Sequence, residues 1–126
     1  MRSLLFVPGD SPDKMEKAIG YGADAVIIDL EDAVAPAQKA SARRQTADFL
    51  KSFDARQGPK LYVRVNDISS SVVADDLDAT AAPCLSGFML PKARSGEDVA
   101  ALARMLDGVE AQTDFNDQWI QDLEAV

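Results

Sequence analysis

Four short apolar runs, each ending in a charged or polar cluster, constrain this chain more than anything else in it. Leu4-Leu5-Phe6-Val7 leads into Pro8-Gly9-Asp10, and Val26-Ile27-Ile28 into Asp29-Leu30-Glu31-Asp32. Leu61-Tyr62-Val63 leads into Arg64-Val65-Asn66, and Phe88-Met89-Leu90 into Pro91-Lys92. Short β-rich runs separated by helical stretches predict βα units with a parallel sheet. Ala25 to Asp29 is apolar on both faces, as a buried parallel strand should be. In such sheets chemistry gathers at the carboxyl ends of the strands. Those ends carry carboxylates, an arginine, an asparagine and a lysine.

The stretches between the runs carry helix signals. Ser11 is an N-cap candidate with Pro12 at the first helical position. Met15, Ala18 and Ile19 follow helical spacing up to Gly20 and Gly22, which supply a stop. Pro36 opens a second helix predicted to run to Asp54, with Ala40, Ala47, Phe49, Leu50 and Phe53 on its buried side. Gly58-Pro59 breaks the chain before a strand from Leu61 to Val65. A polar loop from Asn66 to Ser71 precedes a short helix from Val72 to Ala79, and Pro83 to Gly87 breaks again before Phe88 to Leu90. Ser95, with Asp98 three positions on, marks a relaxed capping box for a helix spaced by Val99, Leu102, Ala103, Leu106 and Val109. Trp119, Ile120 and Leu123 suggest a short terminal helix.

A βα unit about every thirty residues gives four units in 126 residues. A complete (β/α)₈ barrel needs about 250 residues. The expected fold is therefore α/β: a partial TIM (β/α)₈ barrel of four βα units with parallel strands, forming a single domain over residues 1–126. A compact four-stranded α/β sheet is the alternative.

Composition narrows the function. With 21 acids against 13 bases and a net charge of −8, no basic stripe exists to neutralise nucleic-acid phosphates. A small anionic substrate stays open, because one arginine or a metal can dominate a pocket. Cys84 is the sole cysteine, which rules out an internal disulfide and a cysteine metal site and suits a reduced cytoplasmic setting. The apolar start before Pro8 is shorter than a signal-peptide core, and no run reaches membrane-spanning length, so no membrane partner is expected. The chain has no histidine. A Ser-His-Asp or Cys-His mechanism and a histidine metal site are excluded within one chain. Acid–base work would fall to Asp, Glu, Lys, Tyr or water, and any metal would be a hard cation held by oxygen.

Asp29, Glu31 and Asp32 form the densest acidic cluster beside a strand. They could orient a metal's waters or hold a cation in place; alternatively one caps the next helix and another faces solvent. Alternation puts Asp29 and Glu31 on one side and Leu30 on the other. Three carboxylates alone are not a specific metal signature. Arg64 lies in an apolar strand, where a charge needs a partner or a pocket. Its fork suits a carboxylate or phosphate, or else a structural pair with Asp29 or Asp32 on the adjacent strand. Asn66, two residues on, is expected on the same side, unless it merely starts the loop. Lys92 could bind an anion, balance the carboxylates or act as an acid, or lie on the surface. Pro8-Gly9-Asp10 is a tight turn whose glycine permits close approach of a ligand. It has neither a GxGxxG nor a Walker pattern.

Taken together these residues resemble a known family. Arg2-Ser3-Leu4-Leu5-Phe6-Val7-Pro8-Gly9, the block from Asp24 to Pro36, Val63-Arg64-Val65-Asn66 and Leu90-Pro91-Lys92 are similar, in order and spacing, to the HpcH/HpaI aldolase and citrate lyase family. The similarity is to its citrate lyase beta-subunit-like and malyl-CoA lyase-like branch, and it covers roughly residues 2 to 112. The resemblance implies a (β/α)₈ barrel with Mg²⁺ that cleaves or forms carbon–carbon bonds in 3-hydroxyacyl-CoA thioesters of the citryl-CoA or malyl-CoA type. The other substrate is an oxo-acid such as oxaloacetate, glyoxylate or pyruvate. It implies that Asp29, Glu31 and Asp32 form the catalytic floor and organise metal-bound water. Arg64 would bind the oxo-acid carboxylate, with Asn66 and Lys92 as further substrate-binding residues, and Pro8 and Gly9 would lie near the CoA entrance. The family's metal ligands are a glutamate on the strand after Leu-Pro-Lys and an aspartate on the next strand. Nothing after residue 112 resembles either, so no metal ligand is assigned and the Mg²⁺ site is expected to be incomplete. The expectation is thus the N-terminal half of such a lyase, with its enzymatic status open. The alternative is a non-catalytic half-barrel subunit or remnant that self-associates, and a homo-oligomer is expected to cover the open sheet edges.

Overall fold

The computed structural model describes residues 3–91 apart from Ala55, Gln57 and Ile68, together with Ala100 and Arg104. The helix expected after Ser95, the terminal helix and Lys92 lie outside the described residues. Strand β1 (Leu4–Pro8) is followed by helix α1 (Pro12–Ile19), β2 (Ala25–Asp29), α2 (Lys39–Ser52), β3 (Lys60–Arg64), α3 (Val73–Thr80) and β4 (Gly87–Met89). The strands form one sheet in the order β1-β2-β3-β4, with every neighbouring pair parallel. The parallel βα repeat is the expected one. Among the described residues no helix is long and apolar enough to cross a membrane.

Alternation along the strands splits the core in two. Val7, Val26, Ile28, Leu61, Val63 and Phe88 join one cluster with Met15 and Ala18 of α1, Ala42 and Leu50 of α2, and Val73 and Leu77 of α3. Ala25, Ile27, Tyr62 and Met89 form a second cluster on the opposite face. Val26, Ile27 and Ile28 are all completely buried. Each such side chain contributes about 1.5–3 kcal/mol, so β2 is the apolar spine of the sheet. Its carboxyl end is therefore a rigid support for whatever follows Ile28. Edge strand β1 differs: Leu4 and Phe6 remain 51% and 46% exposed.

Several local expectations are corrected. Helix α2 starts at Lys39 rather than Pro36, because Pro36–Gln38 forms a separate 3₁₀ turn. Its buried stripe is Ala42, Thr46 and Leu50, whereas Ala40 is exposed and Ala47, Phe49 and Phe53 are half-buried. Thr46 can lie in that stripe because its hydroxyl donates to the Gly9 carbonyl at 3.1 Å. Ser11 holds the N-cap position and Pro12 follows at the helix start, but the serine side chain makes no capping bond. Its carbonyl accepts from the Met15 amide instead, at 3.1 Å. Gly22 has φ +81°, the left-handed conformation that lets the chain turn from α1 into β2.

Candidate functional site

Register brings the site together. Pro8, Asp29, Arg64 and Met89 stand side by side in one row across the carboxyl end of the sheet. The Arg64 guanidinium meets the Asp29 carboxylate edge to edge: Nε donates to Oδ1 at 2.9 Å and Nη2 to Oδ2 at 2.6 Å. The backbone amides of Glu31 and Ala33 donate to the same two oxygens at 2.8 and 3.1 Å. Glu31 is nearly buried, with Oε1 3.9 Å from Arg64 Nε, while Asp32 is exposed. The Phe6 ring centroid lies 5.0 Å from Arg64 Cζ, within cation–π range.

These contacts set the charges. Burial pushes the Asp29 pKa up, but the Arg64 hydrogen bonds, the Glu31 amide, the Arg64 charge and the Ala33 amide outweigh it and hold the carboxyl below its ordinary value. Arg64 is pushed further up, first by its hydrogen bonds to Asp29, then by the charges of Asp29, Glu31 and Asp32, against the opposing effect of burial. A folded pKa below the unfolded one contributes stability that is present at neutral pH and lost as pH falls through the folded value. Stability is therefore expected to fall below about pH 4 more steeply in the native protein than in Asp29→Asn, which has no such group to titrate. Urea unfolding across an acid pH series reads this, and equal slopes would contradict it.

Asp29 thus receives four donors, two from backbone and two from Arg64. That saturation suits it to orient Arg64 rather than to accept a proton. Arginine carries five N–H donors. Asp29 engages two, which leaves three facing away from it for another acceptor. Among the described residues no group of three or more acidic or cysteine side chains is placed to hold a metal ion. With Asp29 committed to Arg64 and Asp32 in solvent, the acidic cluster does not fit Mg²⁺.

The remaining expected residues are placed differently. Strand β3 ends at Arg64, so alternation does not carry Asn66 to the same side. Its amide Nδ2 and backbone N instead donate to Asp76 Oδ2 on α3, at 2.7 and 2.9 Å. Gly9 is buried, and its N–H donates to the Asp29 carbonyl at 2.9 Å. A Cβ there would come within 2.7 Å of Leu30 Cδ2 and 2.9 Å of Thr46 Oγ1. The close approach this glycine permits is by the chain's own loop and helix. Pro8 is half-buried beside Asp29 in the row.

Three supporting residues escape the sequence reading. Lys39 Nζ donates to the carbonyls of Leu30 and Glu31 at 3.0 and 2.9 Å and pins the acidic loop. No sequence signal marks it. Asp76 is 1% exposed and also accepts from Arg43 Nε at 3.1 Å. Its signal was present: Val73, Asp76, Leu77 and Thr80 follow helical spacing, and all are buried. Phe6 was legible only as a strand residue.

The HpcH/HpaI aldolase/citrate lyase family model matches residues 2–118. A (3S)-malyl-CoA thioesterase of Cereibacter sphaeroides is 38% identical over 108 residues, covering 86% of this chain and 38% of that protein. A citrate lyase subunit beta-like protein of Deinococcus radiodurans is 40% identical over 110 residues, covering 84% and 38%. The citrate lyase beta subunit of M. tuberculosis complexed with oxaloacetate and magnesium superposes with a TM-score of 0.67 at 41% identity, over 79% of this chain and 42% of that one. The chain thus spans about two fifths of the length of these relatives. Its parallel βα units are part of a TIM-barrel-like fold.

Proposed function

This chain belongs to the HpcH/HpaI aldolase/citrate lyase family, and from that premise we propose that it carries the oxo-acid-binding part of a carbon–carbon lyase acting on a 3-hydroxyacyl-CoA of the citryl-CoA or malyl-CoA type. The observation that carries this reading is the Arg64 guanidinium, fixed by Asp29 at the carboxyl end of β3 with three donors that Asp29 does not engage. In this reading Arg64 binds the oxo-acid carboxylate and Asp29 orients it. Glu31 and Asp32 complete an acidic floor, and Lys92 borders the substrate. Pro8 and Gly9 shape the loop on the CoA side. Magnesium accompanies the M. tuberculosis relative; the described residues of this chain bring together no group of three or more acidic or cysteine side chains to hold it. A homo-oligomer would cover the free edge of β1.

A second reading stands beside this one, a non-catalytic half-barrel subunit that self-associates and keeps the arginine site: Leu4 and Phe6 remain half exposed on edge strand β1.

Pyruvate titration by calorimetry tests the shared claim. Arg64→Lys keeps the charge and loses the planar fork. Pyruvate binding is expected to weaken by about 1–3 kcal/mol, the range for a charged hydrogen bond, and the ligand-free melting temperature to fall as well, because the same fork holds Asp29. Unchanged affinity with lost stability would leave Arg64 a structural residue only.

A further inference from the structure

The Phe6 ring stands beside the Arg64 guanidinium, a contact that no expectation included. Its neighbours Leu5 and Val7 pack with the helix-side core. Phe6 therefore points to the opposite face, in register with Ile27 and, through it, Tyr62. That row lies one pleat below the row holding Asp29 and Arg64. The ring is half exposed, and its centroid is 5.0 Å from Arg64 Cζ.

Resting on the reading of Arg64 as the oxo-acid arginine, we infer that Phe6 is a positioning residue that sets the plane of that guanidinium and makes the anion site selective for small planar carboxylates. Asp29 holds one edge of the guanidinium through two parallel hydrogen bonds. A pair held along one edge can still swing about that edge. The Phe6 ring lies against the guanidinium and restrains that swing, because a guanidinium gains from stacking on an aromatic ring. With one edge paired and the ring limiting its swing, the guanidinium meets an incoming anion edge-on, in the plane of the remaining N–H groups. A carboxylate matches that fork with two coplanar oxygens. The conjugated plane of a 2-oxo-acid then lies along the exposed part of an apolar ring. A tetrahedral oxyanion can meet the fork with two oxygens but has no planar set of four or more heavy atoms to lay on that surface, so it gains no contact with the ring.

The test compares the full chain with Phe6→Leu, which keeps apolar bulk and loses the ring, and Phe6→Tyr, which keeps the ring. Without ligand, the Arg64 Nε–H resonance is expected to shift in Phe6→Leu, where the ring current is lost, and to stay near its native position in Phe6→Tyr. Pyruvate affinity is expected to drop about three- to tenfold in Phe6→Leu, the fold-change corresponding to a cation–π contact, and to be retained in Phe6→Tyr. Affinity for inorganic phosphate is expected to be the same in all three. An Arg64 resonance unmoved by Phe6→Leu overturns the positioning role. Equal loss of pyruvate and phosphate affinity in Phe6→Leu, or loss in Phe6→Tyr as large as in Phe6→Leu, overturns the selectivity. Failure of the oxo-acid reading has a different signature: no pyruvate binding by the native chain, and none lost in Arg64→Lys. The selectivity falls with it, and the ligand-free resonance still decides the positioning role.

Discussion

Arg64→Ala is expected to cost about 3–5 kcal/mol of folding stability, the range for removing one partner of a buried ion pair. The Asp29 side chain is 3% exposed, against 20% for Arg64. The alanine variant therefore leaves a carboxylate that solvent reaches poorly, with the amides of Glu31 and Ala33 as its remaining donors among the described residues. The partial exposure of Arg64 places the expected cost toward the lower end of the range. The same change removes the main influence that lowers the Asp29 pKa and leaves burial to raise it. Asp29 should then be easier to protonate, so mild acid should penalise the variant less than the native protein. Urea unfolding at neutral pH measures the cost. A loss under about 1 kcal/mol would give the pair the weight of a solvent-screened surface contact.

Asp76→Ala is expected to destabilise by a similar amount for a different reason. Its carboxylate accepts from Arg43 Nε, from the Asn66 backbone N and from Asn66 Nδ2. Arg43 is 15% exposed and can rehydrate in part. Asn66 is 4% exposed and cannot, which leaves two N–H groups buried without an acceptor. At about 1–3 kcal/mol for each unsatisfied buried donor, the loss for the two comes to about 2–6 kcal/mol. Asp76→Asn keeps an acceptor oxygen for Asn66 and should cost less. Equal losses in the two variants would contradict this division between hydrogen bonding and charge.

The strands and the identity of the two central residues were legible because each depends on local pattern. Val26-Ile27-Ile28, short and β-branched, reads as a strand buried on both faces, and a charge such as Arg64 after Leu61-Tyr62-Val63 needs a partner or a pocket. The ion pair with Asp29 was one of the two outcomes that argument left open, and parallel register is what brought it about. What stayed hidden depends on where a strand stops and on contacts between distant residues. Asn66 was expected beside Arg64 by alternation, yet β3 ends at Arg64 and the amide goes to Asp76. Gly9 was expected to admit the close approach of a ligand; Leu30 and Thr46, from far along the chain, make that approach instead. Lys39 gave no signal because a lysine that reaches two backbone carbonyls looks like any other on a helix.

Heteronuclear NMR of the full chain titrated with pyruvate bears most directly on the central claim, that the Asp29-held guanidinium of Arg64 receives a carboxylate. The expected result is perturbation centred on the Arg64 side chain, the Glu31 and Ala33 amides and Phe6, lost in Arg64→Lys. Perturbation centred instead on Lys14 and Lys17, in the cleft between β1 and α1, and unaffected by Arg64→Lys, would contradict it.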